Sequence, residues 1–227
     1  IIGMYETISD IEGGEVYNEA DSNLKFYLTT ENTGYYGAQF GPHSYYPGVG
    51  IYVRYSGNTW TDSLHPGGFG FITIIHELGH AMGLAHPHDS GGGSGNFPGV
   101  TWNGDQGDNN LNQNIYTVMS YIDTNSGINP TSQTPYGFCT GPMGFDIATM
   151  KFLYGLNPSY NNTATTYTIG DTNINDTGYT TIYDTGSEDL IIYSGSKAVT
   201  IDLRPATITN AIGGGGYVSK VDDSSIF

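Results

Sequence analysis

The stretch His76-Glu77-Leu78-Gly79-His80-Ala81-Met82-Gly83-Leu84-Ala85-His86 decides how the rest of this chain is read. On a helix the i, i+4 spacing sets His76 and His80 on one face, one turn apart. Neutral imidazoles suit Zn²⁺, and two on one face leave room for a third ligand and a water. Glu77 projects beside them, where its carboxylate can take a proton from that water without binding the metal. Gly83 can adopt positive φ and end the helix, so that the chain turns back and delivers His86 as the third ligand. Three protein ligands plus an open position describe a catalytic zinc site rather than a structural one.

A bare H-E-x-x-H arises by chance in roughly one chain in a hundred of this size, and the bland reading is then a surface helix with two solvated histidines. Fixing Gly83 and His86 as well lowers that chance by roughly two or three powers of ten. Working outward, the helix runs from about residue 68 to 82. Upstream, residues 1–10 read as the end of an amphipathic helix, with Ile1, Met4, Tyr5 and Ile8 at helical spacing. Gly13-Gly14 breaks it, and short strands are expected at 15–17, 24–30, 35–40 and 50–55, the last with Ile51, Val53 and Tyr55 on one side. Downstream, residues 88–113 form a long polar loop. Its Asp and Asn residues lack the bidentate Glu spacing of an EF-hand and read first as a solvated loop, with Ca²⁺ binding as the alternative. His43, His65 and His88 read as surface or loop histidines. Residues 144–155 read as a helix with Gly155 as its stop signal. After Asn157-Pro158 the composition turns to Thr, Asn, Asp and Gly with short β-prone runs.

Composition narrows the function classes. A chain of 227 residues can bury a full core, as one domain or a domain with an appendage. Net charge is −16 with only 6 Lys and Arg, which argues against nucleic acid and anionic membrane surfaces as partners. No apolar run approaches a membrane span, and no signal peptide opens the chain. The single cysteine, Cys139, excludes an internal disulfide framework and reads as a small packed side chain.

A second element, Tyr116-Thr117-Val118-Met119-Ser120-Tyr121, follows the zinc motif. Together the two resemble the metzincin metalloproteases, whose signature is H-E-x-x-H-x-x-G-x-x-H followed by a Met-turn. Pro87 after the third histidine, and a tyrosine two residues after Met119, look like the serralysin branch. The resemblance implies an α+β (mixed α/β) fold, with a small twisted sheet, an active-site helix and a Met-turn. It divides the chain into a catalytic domain at 1–157, lacking its first strand and most of its first helix, and a β-rich linker at 158–227 that starts the C-terminal β-roll domain. It also implies a fragment that ends before the calcium-binding repeats, since 213–216 and Tyr217 do not continue as that nonapeptide.

The same resemblance suggests roles residue by residue. Met119 would pack under the imidazoles. The Tyr121 phenol would approach the zinc and donate to the oxyanion; the alternative is a packed aromatic after a turn. Tyr36, Gly37, Ala38 and Gln39 would be the edge strand on which substrate lies extended. Asp184, Gly186 and Asp189 are similar to the D-x-G-x-x-D calcium turn of serralysins, with 161–165 as a less well kept partner half; a plain β-turn is the alternative. The expected protein is therefore a monomeric, secreted zinc endopeptidase acting on proteins or peptides, carrying Zn²⁺ and structural Ca²⁺, and exported by bacterial type I secretion. The rival is a calcium-dependent extracellular surface or adhesion module that keeps a protease-like fold without turnover.

Overall fold

The structure is a computed structural model that describes residues 2–9, 11, 13–42, 45, 48–53, 63–123, 134–155, 157–170, 178–196, 198–201, 203–209, 217–220 and 223–226. The expectations placed on Ile1, His43, Tyr55 and residues 213–216 lie outside that set.

Helix α1 (Ile2–Ile8) opens the described chain. Three strands follow: β1 (Lys25–Thr29), β2 (Gly37–Gln39) and β3 (Val49–Val53). They form one sheet in the order β1-β3-β2, with β1 parallel and β2 antiparallel to β3. Ala38 is registered on Ile51 and Gln39 on Gly50, so β2 is an edge strand of this sheet. The strand expected at 15–17 does not form. Val16 and Tyr17 are exposed and have no neighbouring strand to pair with among the described residues. In β3 the buried positions are Gly50 and Tyr52, whereas Ile51 is half-buried. Period-two alternation marks two faces but not which one turns inward.

Helix α2 (Phe69–Ala81) packs against β2 and β3. Phe71, Ile72, Ile75 and Leu78 recur at helical spacing and face the core, with at most 7% exposure. Its C-terminus is a Schellman turn: the Leu84 amide donates to Gly79 O at 2.9 Å and the Gly83 amide to His80 O at 3.0 Å. Gly83 makes this possible with φ of +92°, a conformation that costs other residues a Cβ clash.

Helix α3 (Gly144–Tyr154) packs against α1 and is stopped by Gly155. Tyr5 of α1 is fully buried, and its hydroxyl donates to Ile75 O of α2 at 3.0 Å, which ties the three helices together. The core also takes in Val118, Met119, Phe138, Cys139, Met143, Met150 and, from beyond residue 157, Tyr179. Cys139 donates to Asn114 O and is shut off from solvent. Strands β4 (Thr166–Ile169) and β5 (Leu190–Tyr193) pair in parallel. Strands β6 (Ala198–Thr200), β7 (Tyr217–Lys220) and β8 (Asp223–Ile226) form an antiparallel sheet. No helix among the described residues is long and apolar enough to cross a membrane.

Candidate metal centre

Helix α2 places His76 and His80 one turn apart, and the Schellman turn returns the chain so that His86 faces both. The His86 Nε2 atom lies 3.1 Å from His76 Nε2 and 3.0 Å from His80 Nε2. The three outer nitrogens are all engaged. His76 Nδ1 donates to Val118 O at 2.8 Å, His80 Nδ1 to Leu84 O at 3.0 Å, and His86 Nδ1 to Asp89 Oδ2 at 2.7 Å. Each acceptor fixes a tautomer with the proton on Nδ1, which leaves three Nε2 lone pairs pointing at one another. Lone pairs so arranged repel, and a cation between them relieves this. Tetrahedral Zn²⁺ with Zn–N of about 2.0–2.1 Å sets its ligand nitrogens roughly 3.3 Å apart, close to the spacing seen. The donor set therefore fits zinc.

Electrostatics agree with that fit. Burial, reinforced by the neighbouring imidazoles, pushes His76 down to about 3 and His80 down to about 4. Both rings stay neutral at pH 7 and offer their lone pairs without proton competition.

Glu77 is buried with 7% exposure, and burial raises its carboxyl to about 7 against a hydrogen bond from the Gln39 backbone. Glu77 leans on the sheet edge: a Cβ on Gly37 would lie 2.8 Å from its Cγ. Gly37 thus has no room for a side chain, and β2 and the carboxylate are held in fixed relation. Tyr36, Gly37, Ala38 and Gln39 line this edge, with Gln39 buried and Tyr36 exposed.

The turn at 116–121 runs beneath the histidines. Met119 is buried at 1% exposure, and its Sδ sits against α2 where a Cβ on Gly79 would come within 2.6 Å. The Tyr121 ring is half exposed and packs on His86 (4.8 Å between centroids) and His76 (5.6 Å).

Three neighbours were not legible as site residues. Asp89 orients His86, and its only sequence signal was a carboxylate three residues after a ligand. His88, expected as a surface or loop histidine, lies in a loop, but its ring stacks on His86 at 4.8 Å and lies tilted 4.6 Å from Tyr121, and its side chain is only 9% exposed. The apolar company of the two rings overrides the loop's polar composition. Asp146, on α3, accepts from Thr117 Oγ1 at 2.6 Å, Val118 N at 2.8 Å and Met143 N at 2.8 Å. It thereby holds the turn whose carbonyl orients His76.

The turn expected to bind calcium is tied into the 161–165 turn by hydrogen bonds. Asp184 accepts from Gly186 N at 2.6 Å and from the Tyr167 hydroxyl, and Asp189 accepts from Thr165 N at 3.0 Å. A Cβ on Gly186 would meet Thr163 O at 2.7 Å and Asn161 O at 2.8 Å, so the 161–165 turn lies directly against it. Among the described residues, the groups of three side chains able to hold a metal ion are His76, His80, His86 and His86, His88, Asp89.

Fold and site together define a three-histidine metal centre with an adjacent buried carboxylate, set on a helix beneath a sheet edge. No family model matches the chain. It is 31% identical over 237 residues to the serralysin of Proteus mirabilis, covering 92% of this chain and 45% of that protein. It is 31% identical over 202 residues to the metallopeptidase AprA of Pseudomonas marginalis, covering 78% and 39%. It is 29% identical over 211 residues to serralysin C of Dickeya chrysanthemi, covering 84% and 41%. The chain thus spans less than half the length of these curated relatives and is similar to their metalloprotease class.

Proposed function

We propose that this chain is the catalytic part of a serralysin-type metzincin, a zinc endopeptidase that hydrolyses protein or peptide bonds. The observation that carries it is the convergence of three Nε2 lone pairs with every Nδ1 already bound, beside a buried Glu77. Zinc held by His76, His80 and His86 would supply Lewis acidity, polarising a carbonyl and making a water acidic. Glu77 takes the proton of the attacking water and later gives it to the leaving amine. Its burial helps here, because a carboxyl raised towards neutrality both accepts and returns a proton readily. Tyr121 donates a hydrogen bond to the oxyanion formed on the attacked carbonyl. The substrate lies extended along β2, the edge strand of the described sheet.

Further parts of the reading go with the family. Ca²⁺ would take Asp184, Gly186 and Asp189 with oxygens of the facing 161–165 turn, an all-oxygen set that suits a hard cation. Export from the cell and a β-roll following the chain are expected on the same ground.

The test is a chelation and restoration assay on the parent and on Glu77→Gln. The parent should lose peptide cleavage with its metal and regain it with zinc. The Gln variant should hold about one zinc per chain yet cleave nothing, because an amide cannot take the proton. A Gln variant that binds zinc and cleaves at the parental rate would sink the mechanism.

A further inference from the structure

A cavity of about 310 Å³ opens beside the metal centre, on the side of His76 and Glu77. Its walls are apolar: Tyr36, Phe69, Ile72 and Phe138 line it, with Phe69 edge-on to Tyr36 at 5.0 Å and to Phe138 at 5.5 Å between centroids. Most of its polar lining is already engaged. Asn114 Nδ2 donates to Ser120 O at 2.7 Å, and Thr73 Oγ1 donates to Phe69 O at 2.9 Å. Asp123 differs. It lines the same cavity and finds no hydrogen-bond or ion-pair partner among the described residues. Asp123 as a residue is exposed, yet its carboxyl is desolvated enough that its pKa is pushed up to about 6.

We propose that this cavity receives a basic substrate side chain, Lys or Arg, flanking the scissile bond, and that Asp123 is the residue that selects it. The inference rests on the peptidase reading above and names the substrate class of that same site. An aromatic wall takes the methylene stem of a long basic side chain, which keeps its charged head at the rim. The head meets a carboxylate lacking a partner, and a charge-assisted hydrogen bond there compensates the desolvation of both groups. A neutral apolar side chain would fill the walls but make no charged contact with the carboxylate. An acidic one would be repelled by Asp123 and by Glu77 together. The wider field points the same way, since a chain of net charge −16 gathers cationic peptides.

The experiment uses one peptide sequence varied at the two residues flanking the cleavage point among Lys, Arg, norleucine, Gln and Glu. Cleavage by the zinc-loaded parent is read as kcat/KM. Binding to the zinc-loaded Glu77→Gln variant, which holds peptide without consuming it, is read as Kd. At one flanking position, Lys and Arg should be favoured over norleucine by about ten- to a hundred-fold in both readouts, the scale of a charged hydrogen bond. Asp123→Asn should remove that preference while leaving the norleucine peptide unchanged, and Asp123→Glu, which keeps the charge, should retain it. Cleavage with no basic preference at either position overturns the proposal, as does an Asn variant that weakens all peptides equally. If the parent cleaves no peptide but the Glu77→Gln variant still prefers Lys through Asp123, the peptidase reading fails and the pocket assignment stands.

Discussion

Asp146 and His76 are joined through a single residue. The Asp146 carboxylate accepts the Val118 amide at 2.8 Å, and the Val118 carbonyl accepts His76 Nδ1 at 2.8 Å. A carboxylate on α3 therefore fixes the tautomer of a candidate metal ligand on α2. Partners of this kind are worth roughly ten- to a hundred-fold in metal affinity.

The first prediction follows from that link. Asp146→Ala leaves the Thr117 hydroxyl and the Val118 and Met143 amides without their acceptor in a closed core. Zinc affinity should fall about ten-fold or more, with a stability loss of a few kcal/mol. A chelator-competition titration alongside a thermal melt measures both. Unchanged zinc affinity in a folded variant would cut Asp146 out of the metal centre.

Asp146→Asn should behave differently, because the amide keeps the shape and one acceptor oxygen. Here pH is the probe. Burial raises Asp146 to about 6, against three hydrogen bonds that pull it down. A carboxyl raised when folded contributes most below its unfolded value near 3.8, and that contribution is lost as pH rises through about 6. The Asn variant, which does not titrate, should therefore gain on the parent between pH 4 and 7. The relative gain is on the order of 3 kcal/mol, at about 1.4 kcal/mol for each tenfold change in proton affinity. Parallel melting curves that never converge or diverge with pH would refute the assignment.

Tyr121→Phe should lower kcat by about one to three powers of ten, on the scale of losing one oxyanion donor. Zinc retention and peptide binding should change little, since the histidines hold the metal and the bond forms mainly in the transition state. The ring itself packs on His86 and His88, and Phe keeps that packing. Steady-state kinetics with metal analysis decides between the roles: an unchanged kcat would reduce Tyr121 to packing.

Gly79→Ala sets two effects against each other. Ala gains about 1 kcal/mol over Gly in a helix interior. Its Cβ, however, would sit 2.6 Å from Met119 Sδ and 3.2 Å from the Tyr5 hydroxyl, and both residues are almost completely buried. Overpacking of this kind costs about 1–3 kcal/mol, so the clash should win and the melting temperature should drop. Shortening Met119 in the same protein, as Met119→Ala, should make the Gly79→Ala step less costly. If Gly79→Ala stabilises the parent, Met119 does not press on α2.

What could be read from the chain alone was what is local. The three candidate metal-binding histidines, the helix that carries two of them and the Gly83 turn all follow from spacing within eleven residues of one another. Helix α1 followed from apolar periodicity, and α3 from a helical run closed by Gly155. The residues that hold the centre in place were hidden because they arrive from far along the chain: Asp146 meets Val118 across 28 positions, and Tyr5 meets Ile75 across 70. His88 sits in a polar loop and packs on aromatic rings whose arrival no pattern announces. The strand expected at 15–17 failed for a related reason, since alternation is only a strand once another strand lies beside it.

The contact between Gly37 and Glu77 has a consequence for anyone redesigning this protein. The sheet edge and the Glu77 carboxylate share one van der Waals boundary, and position 37 belongs to both. Any larger residue there shifts either the strand or the acid. Variation meant to change what is cut is therefore better directed to Tyr36, on the exposed side of the strand, or to Asp123 across the cavity. Position 37 is best left out of any such library.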